Sequence, residues 1–115
     1  MKILLASPDR DLLECYKTLF EADLGETVTA FDGTQVLSLL SAEQFDIALL
    51  DDGLPRIEYG KLIGQAKEKN VPVIALTNGA DISRINANAY LKYPFDYGKI
   101  KSVVLDTLEK SGKET

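Results

Sequence analysis

The sequence has no histidine and no tryptophan, and Cys15 is its single cysteine. Without histidine a Ser-His-Asp or Cys-His triad cannot form, and most kinds of zinc site are excluded as well. One cysteine rules out an internal disulfide and a multi-cysteine metal site. These gaps argue against the common nucleophilic and zinc enzymes, and we expect Cys15 to be a buried or half-buried residue of a helix.

Long apolar runs and clusters of positive charge are also lacking. No run approaches the length of a membrane span, and the apolar stretch after Met1 and Lys2 is too short for the core of a signal peptide. Thirteen basic residues against eighteen acidic ones give a net charge of −5, which argues against a nucleic-acid-binding surface on this domain. These properties predict a cytoplasmic protein that binds neither membranes nor nucleic acid.

What is present is a regular alternation of short apolar runs with helical patterns. The expected strands are Ile3 to Ala6, Thr27 to Phe31, Ile47 to Leu50, Val73 to Leu76 and Ala89 to Leu91. The first helical stripe consists of Leu12, Leu13, Tyr16, Leu19 and Phe20. This alternation predicts an α/β, doubly wound, flavodoxin-like fold, whose five-stranded parallel sheet has the order 2-1-3-4-5. The domain is expected to span residues 1–112, with 113–115 as a tail.

Polar residues mark the helix ends, and one connection is short. We expect Ser7-Pro8 to begin the first helix, with Asp32 and Asp96 as caps of the second and the last. The eleven residues 78–88 are rich in turn formers, and they equal only about one average helix without its flanking loops. We therefore predict that the helix before the fifth strand, the fourth of the fold, is shortened or missing, with Asp81 as a cap.

Three segments carry a resemblance to a known family. They are Phe45 to Pro55, Val71 to Thr77 and Ala89 to Asp96. In these segments the chain resembles the receiver domains (CheY-like) of bacterial two-component response regulators, and the similarity extends over about Lys2 to Lys110. The family places its phosphoacceptor aspartate four residues before a proline, which matches Asp51 and Pro55.

The resemblance assigns a role to three further positions. Thr77 matches the hydroxyl-bearing switch residue, and Tyr90 matches the aromatic switch residue of the fifth strand. The peptide bond at this family's proline turn is commonly cis, so Pro94 is a cis-proline candidate. Structural alternatives stay open, because Asp51 can cap a turn, Thr77 can end a strand and Tyr90 can be an amphipathic surface residue.

Two parts of the family's phosphorylation site are not matched. Ser7 and Pro8 stand where the family has an acidic pair that helps to hold Mg²⁺, and Tyr93 stands where it has a lysine. In the family, Mg²⁺ and this lysine normally offset the repulsion between the acceptor carboxylate and the incoming phosphoryl group. At 4 Å two unit charges interact by about 4 kcal/mol at an effective dielectric constant of 20. We therefore predict poor or absent Mg²⁺-dependent phosphorylation. Because Mg²⁺ prefers one or two carboxylates beside its waters, we also predict weak or absent Mg²⁺ binding, with Asp51 and the Gly53 carbonyl as the ligands if any ion binds.

Three functions remain open. The first is a degenerate receiver without enzymatic activity, a pseudo-receiver that binds a histidine kinase or a downstream regulator as a monomer or homodimer. The alternative is a working phosphoacceptor receiver that is phosphorylated on Asp51 and uses Arg56 or Lys92 as substitute cations. The third, a small flavodoxin-like enzyme or cofactor binder, is disfavoured by the lack of histidine and of a phosphate-binding loop.

Overall fold

The sheet has the predicted order. In the computed structural model, which describes residues 1–79 and 85–112, five parallel strands pair in the order β2-β1-β3-β4-β5. The strands are β1 (Lys2–Ala6), β2 (Glu26–Ala30), β3 (Ile47–Asp51), β4 (Val73–Thr77) and β5 (Ala89–Lys92). Strands β3 and β4 are buried along their whole length, because helices cover both faces of the sheet. The alternating strand β2 lies at an edge, as its sequence indicates.

The residues described contain four α-helices. They are α1 (Arg10–Asp23), α2 (Gly33–Ala42), α3 (Tyr59–Glu68) and α4 (Tyr97–Lys110). Helices α2 and α3 cover one face of the sheet, and α1 and α4 cover the other, so the core has two layers. The predicted caps are confirmed, since the carboxylates of Asp32 and Asp96 each accept a hydrogen bond of 2.8 Å from a backbone N–H in the first turn. Over the same residues, no helix has the length and apolar character needed to cross a bilayer.

The connection between β4 and β5 contains no helix in the part that the structure describes, residues 78–79 and 85–88. Ile85 is buried in the layer that α2 and α3 cover. The described end of the connection therefore lies on that face, the side expected for a right-handed crossover. This agrees with the predicted shortened or missing helix, while residues 80–84, including the cap expected at Asp81, lie outside the described residues.

The first helix begins later than the sequence indicates. Asp9 caps α1, because its carboxylate accepts hydrogen bonds of 3.1 and 3.2 Å from two backbone N–H groups of the first turn. The start predicted at Ser7-Pro8 is wrong, since the Ser7 side chain is buried and its hydroxyl is turned towards the sheet edge. The expected burial of Leu19 and Cys15 is wrong, because both side chains are exposed. The buried face of α1 is therefore narrower than the predicted apolar stripe.

Candidate functional site

Asp51 lies at the carboxyl end of β3, the edge of the sheet where open α/β folds bind ligands. The residue is 8% exposed. Its side chain lines an open pocket of about 280 Å³ together with Asp9, Leu12, Asn78 and Tyr93. These residues follow β1, β4 and β5, whose carboxyl ends meet at the same edge. The topology therefore brings together side chains that are far apart in the sequence.

The Asp51 carboxylate is held by uncharged donors. The Tyr93 hydroxyl donates to Oδ2 at 2.8 Å, and the Ser7 hydroxyl donates to the same oxygen at 3.3 Å. The backbone N–H of Gly53 donates to Oδ1 at 2.7 Å. The Tyr59 hydroxyl holds the backbone, because it donates to the Asp51 carbonyl at 2.9 Å. Both carboxylate oxygens are therefore occupied by groups without formal charge.

Tyr93 is the strongest side-chain partner of Asp51. It directly follows β5, its peptide bond to Pro94 is cis, and its ring stacks on Phe95 with a centroid distance of 4.8 Å. Burial, followed by the hydrogen bond and the charge of Asp51, raises the pKa of the Tyr93 hydroxyl far above its ordinary range. The phenol is therefore a neutral donor to Asp51 near neutral pH.

Thr77 points to the neighbouring carboxylate. Its buried hydroxyl donates to Oδ2 of Asp52 at 2.7 Å and accepts a hydrogen bond of 3.0 Å from the Gly79 N–H. Lys92 is the β5 partner of Thr77 in the sheet register, and its side chain lies against Gly79. Because successive residues at a strand end point to opposite sides, Asp51 and Asp52 have separate sets of partners.

Neither of the expected substitute cations pairs with Asp51. The ion pairs found within residues 1–79 and 85–112 all lie elsewhere. Arg56 is exposed in the loop after β3. Its backbone has a φ of 55°, and its carbonyl oxygen lies close to Gly33. The Lys92 side chain is exposed and lies against Gly79. The part of the chain that is described thus brings no formal positive charge to the Asp51 carboxylate.

Tyr90 lies away from the Asp51 pocket. Its side chain is 41% exposed. The hydroxyl donates to the Ile85 carbonyl and accepts a hydrogen bond of 3.2 Å from the Ala87 N–H. The side chain is therefore hydrogen-bonded to the end of the β4–β5 connection.

The donor set around Asp51 fits Mg²⁺ poorly. Magnesium prefers an octahedral set of oxygens, usually one or two carboxylates with water. Ser7 and Pro8 supply no carboxylate, and that of Asp9 is engaged as the cap of α1. Asp51, one of the two expected ligands, is already hydrogen-bonded at both carboxylate oxygens. The Tyr93 hydroxyl donates to Oδ2, and the Gly53 N–H donates to Oδ1. In the described ranges, no three His, Cys, Asp or Glu residues form a group suited to hold a metal.

Three features of the site were not predicted from the sequence. These are the place of Asp9 in the pocket, the hydrogen bond from Tyr59 to the Asp51 backbone, and the pairing of Thr77 with Asp52. A signal existed for Asp9, because a carboxylate three residues beyond β1 lies at the same sheet edge as Asp51. No sequence pattern indicates the direction of the Tyr59 and Thr77 hydroxyls.

Comparison of the sequence with known proteins finds relatives, although no protein-family model matches the chain. The transcriptional regulatory protein CpxR of Escherichia coli K12 is 33% identical over 119 residues, which cover 96% of this chain and 50% of CpxR. The transcriptional regulatory protein CrdR of Helicobacter pylori is 32% identical over 110 residues, which cover 88% of this chain and 52% of CrdR. The chain thus spans about half the length of the curated relatives it matches.

Solved structures match along nearly the whole chain. A CheY-like response regulator receiver domain protein from Methanospirillum hungatei has a TM-score of 0.87 at 24% identity, covering 99% of this chain and 98% of that one. The response regulator TrrA of Thermotoga maritima, in complex with Mg²⁺ and beryllofluoride, has a TM-score of 0.80 at 25% identity, covering 93% and 98%. The receiver domain of the Francisella response regulator 1452 has a TM-score of 0.79 at 26% identity, covering 96% and 98%.

Proposed function

The chain is a CheY-like receiver domain of the response regulators of two-component systems, and we propose that it acts as a protein-interaction module with weak or no Mg²⁺-dependent phosphorylation. The observation that carries this proposal is the set of donors to Asp51. Tyr93, Ser7 and Gly53 hold its carboxylate without a formal positive charge. The domain has no enzymatic role of its own in this proposal.

The electrostatic consequence can be given a magnitude. A phosphoryl group that approaches Asp51 is an anion, and at 4 Å a missing lysine charge is worth about 4 kcal/mol at an effective dielectric constant of 20. A neutral hydrogen bond returns only about 1 kcal/mol. The difference of about 3 kcal/mol corresponds to a rate about a hundredfold lower. The incoming group also has to displace the Tyr93 and Ser7 hydroxyls from Oδ2.

A second candidate function is phosphorylation on Asp51, and one observation favours it. Asp9 lines the same pocket as Asp51. A metal ion that drew the Asp9 carboxylate away from the helix cap would have two carboxylates, the number that Mg²⁺ often uses. The cost is the cap of α1, which contributes about 1 kcal/mol to stability.

One NMR experiment distinguishes the interaction module from the phosphoacceptor. The wild type and Asp51→Asn are each titrated with Mg²⁺ and then with beryllofluoride, a mimic of the phosphoryl group. If the proposal holds, the amide signals of Asp51, Gly53 and Thr77 show no saturable shift in the wild type that is missing in Asp51→Asn. A saturable shift that Asp51→Asn abolishes would contradict it and favour the phosphoacceptor.

For partner binding, we propose a histidine kinase or a downstream regulator as the protein that docks. Support comes from exposed apolar side chains on regular elements, Tyr90 of β5 and Leu105 of α4, which are 41% and 39% exposed. Exposed aromatic residues on rigid elements are suited to anchor an interface. Photo-crosslinking at position 90 in cells, in the wild type and in Asp51→Asn, is expected to capture the same partner with equal yield. Loss of capture in Asp51→Asn would contradict a role independent of phosphorylation.

A further inference from the structure

Strand β2 lies at one edge of the sheet, so one side of its backbone has no neighbouring strand. The N–H of Ser7 donates to the Ala30 carbonyl, which therefore points into the sheet. Because backbone groups alternate in direction along a strand, those of Thr27, Thr29 and Phe31 point away from it. Unpaired groups at a sheet edge are where another strand can add. The hydrogen bonds of these three residues therefore decide whether the edge can pair.

Side chains of the same chain already bind two of the three outward positions. The N–H of Thr27 donates to the Glu21 carboxylate at 3.3 Å, and its carbonyl accepts a hydrogen bond of 2.9 Å from Nζ of Lys17. The N–H of Phe31 donates to the side-chain carbonyl of Gln35 at 2.8 Å. The two ends of the strand edge are therefore capped from within the chain.

Thr29, between these two positions, is open. Its outward N–H and carbonyl have no hydrogen-bond partner among residues 1–79 and 85–112. A space of about 340 Å³ lies beside it, lined by Arg10, Leu13, Glu14, Lys17, Thr29 and Phe31. The Phe31 residue at one end of this space is 39% exposed. One donor and one acceptor, with room for a side chain next to them, are thus available at a single residue.

Helix α1 adds a row of charges along the same edge. The row consists, in chain order, of Arg10, Glu14, Lys17 and Glu21, whose spacing places them on one face of the helix. Arg10 lies over the Phe31 ring, 4.5 Å from its centroid. The signs alternate along the row, so it is complementary to an identical row that runs in the opposite direction: Arg10 then faces Glu21, and Glu14 faces Lys17. The charges therefore fit a second copy of this chain.

We propose that the β2 edge is a homodimer interface, in which two copies pair antiparallel with Thr29 opposite Thr29. Directly opposite residues of an antiparallel pair can exchange two hydrogen bonds, so each Thr29 N–H donates to the Thr29 carbonyl of the second copy. The two-fold axis that relates the strands also sets the two α1 helices side by side in opposite directions. Because the flanking positions stay capped, the contact is small and the dimer is reversible.

This interface does not depend on the interaction role proposed above. Strands β2 and β5 form the two opposite edges of the sheet, so a partner that docks on Tyr90 of β5 leaves Thr29 accessible. The interface does not involve the Asp51 carboxylate either. Failure of the dimer would therefore leave the proposed function standing.

Sedimentation equilibrium and NMR between about 10 µM and about 1 mM protein test the interface. We expect a monomer–dimer equilibrium in which the Thr29 amide signal shifts as the dimer forms. Thr29→Pro removes the outward N–H without removing a hydrogen bond to β1 and is expected to weaken association about thirtyfold. Thr29→Val, the matched control, keeps the N–H and the dimer. A wild type that stays monomeric at the highest concentration, or a dimer that Thr29→Pro leaves unchanged, overturns the proposal.

Charge variants test the two-fold arrangement independently of whether Thr29→Pro folds. Arg10→Glu places two acids opposite each other across the axis, and Glu21→Arg places two arginines there, so each variant alone is expected to associate more weakly than the wild type. In an equimolar mixture the two variants face each other with opposite charges, and we expect heterodimers, detected with one variant isotope-labelled. A mixture that associates no more than either variant alone overturns the arrangement.

Discussion

Replacing Tyr93 by phenylalanine removes the shortest side-chain hydrogen bond to Asp51. The Tyr93 hydroxyl lies 2.8 Å from Oδ2, and of the described residues only the Ser7 hydroxyl, at 3.3 Å, then still donates to this oxygen. A hydrogen bond to a charged group contributes about 1.5–3 kcal/mol. Since Tyr93 is half-buried, we expect a loss of about 2 kcal/mol in the free energy of unfolding. Phenylalanine keeps the ring that stacks on Phe95 at 4.8 Å, so little packing is lost.

Equilibrium unfolding in urea at neutral pH measures this loss as a lower midpoint with an unchanged m-value. Tyr16→Phe is the matched control, because it removes a hydroxyl whose one hydrogen bond within residues 1–79 and 85–112, to the Phe95 carbonyl, is long at 3.4 Å. The control is expected to cost less than about 0.5 kcal/mol. If Tyr93→Phe costs no more than the control, the hydrogen bond to Asp51 does not support the site as described.

The same variant predicts a change in the pH dependence of stability. Burial and the bond to Asp51 raise the pKa of the Tyr93 phenol in the folded protein, so the folded state binds this proton more tightly than the unfolded chain. The stabilisation is complete below the unfolded pKa of about 10 and is lost as the pH rises above it. The wild type should therefore lose more stability than Tyr93→Phe above about pH 10. Tyr97, whose pKa is raised to about 12, is present in both proteins and cancels. Equal losses would refute the reasoning.

Two further substitutions probe the partners of the two carboxylates. Ser7→Asp places a second carboxylate beside buried Asp51. We expect it to lower the free energy of unfolding by about 2–4 kcal/mol, because no positive charge compensates the two like charges there. Thermal unfolding in EDTA measures this loss, and added Mg²⁺ should restore part of the stability. A variant as stable as the wild type in EDTA would contradict the lack of positive charge. Thr77→Val removes the hydroxyl that donates to Asp52 while keeping the side-chain volume. We expect it to lower the free energy of unfolding by about 1 kcal/mol, as measured by urea unfolding. No loss would mean that the hydrogen bond to Asp52 is weak in solution.

The architecture could be predicted from the sequence because it depends on coarse patterns. Continuous apolar runs at Ile47 and Val73 indicate strands covered on both faces, and the alternating run at Thr27 indicates an edge strand. The caps at Asp32 and Asp96 follow from side chains that satisfy backbone N–H groups of the first turn. The error at Ser7-Pro8 has the same origin, because Asp9 two residues on offers an equally good cap and leaves the Ser7 hydroxyl for Asp51.

The contents of the site could be predicted only in part. The sequence places Asp51 and Tyr93 at one sheet edge, since parallel strands end together, but it does not give the direction of a hydroxyl. The hydrogen bond between these two residues depends on the path of the chain around Pro94 and on the stacking of Tyr93 on Phe95. Such contacts are set by packing between distant segments, which no local pattern encodes.

If Asp51 lacks the charges that Mg²⁺-dependent phosphorylation needs, restoring them should restore the reaction. The decisive comparison is the rate of phosphorylation at Asp51 in the wild type and in Ser7→Asp/Tyr93→Lys, which supplies one acid and the lysine. With Mg²⁺ and acetyl phosphate, and with the adduct located by mass spectrometry, we expect the double variant to react about a hundredfold faster than the wild type. A wild type that is phosphorylated on Asp51 as fast as the double variant would contradict the claim.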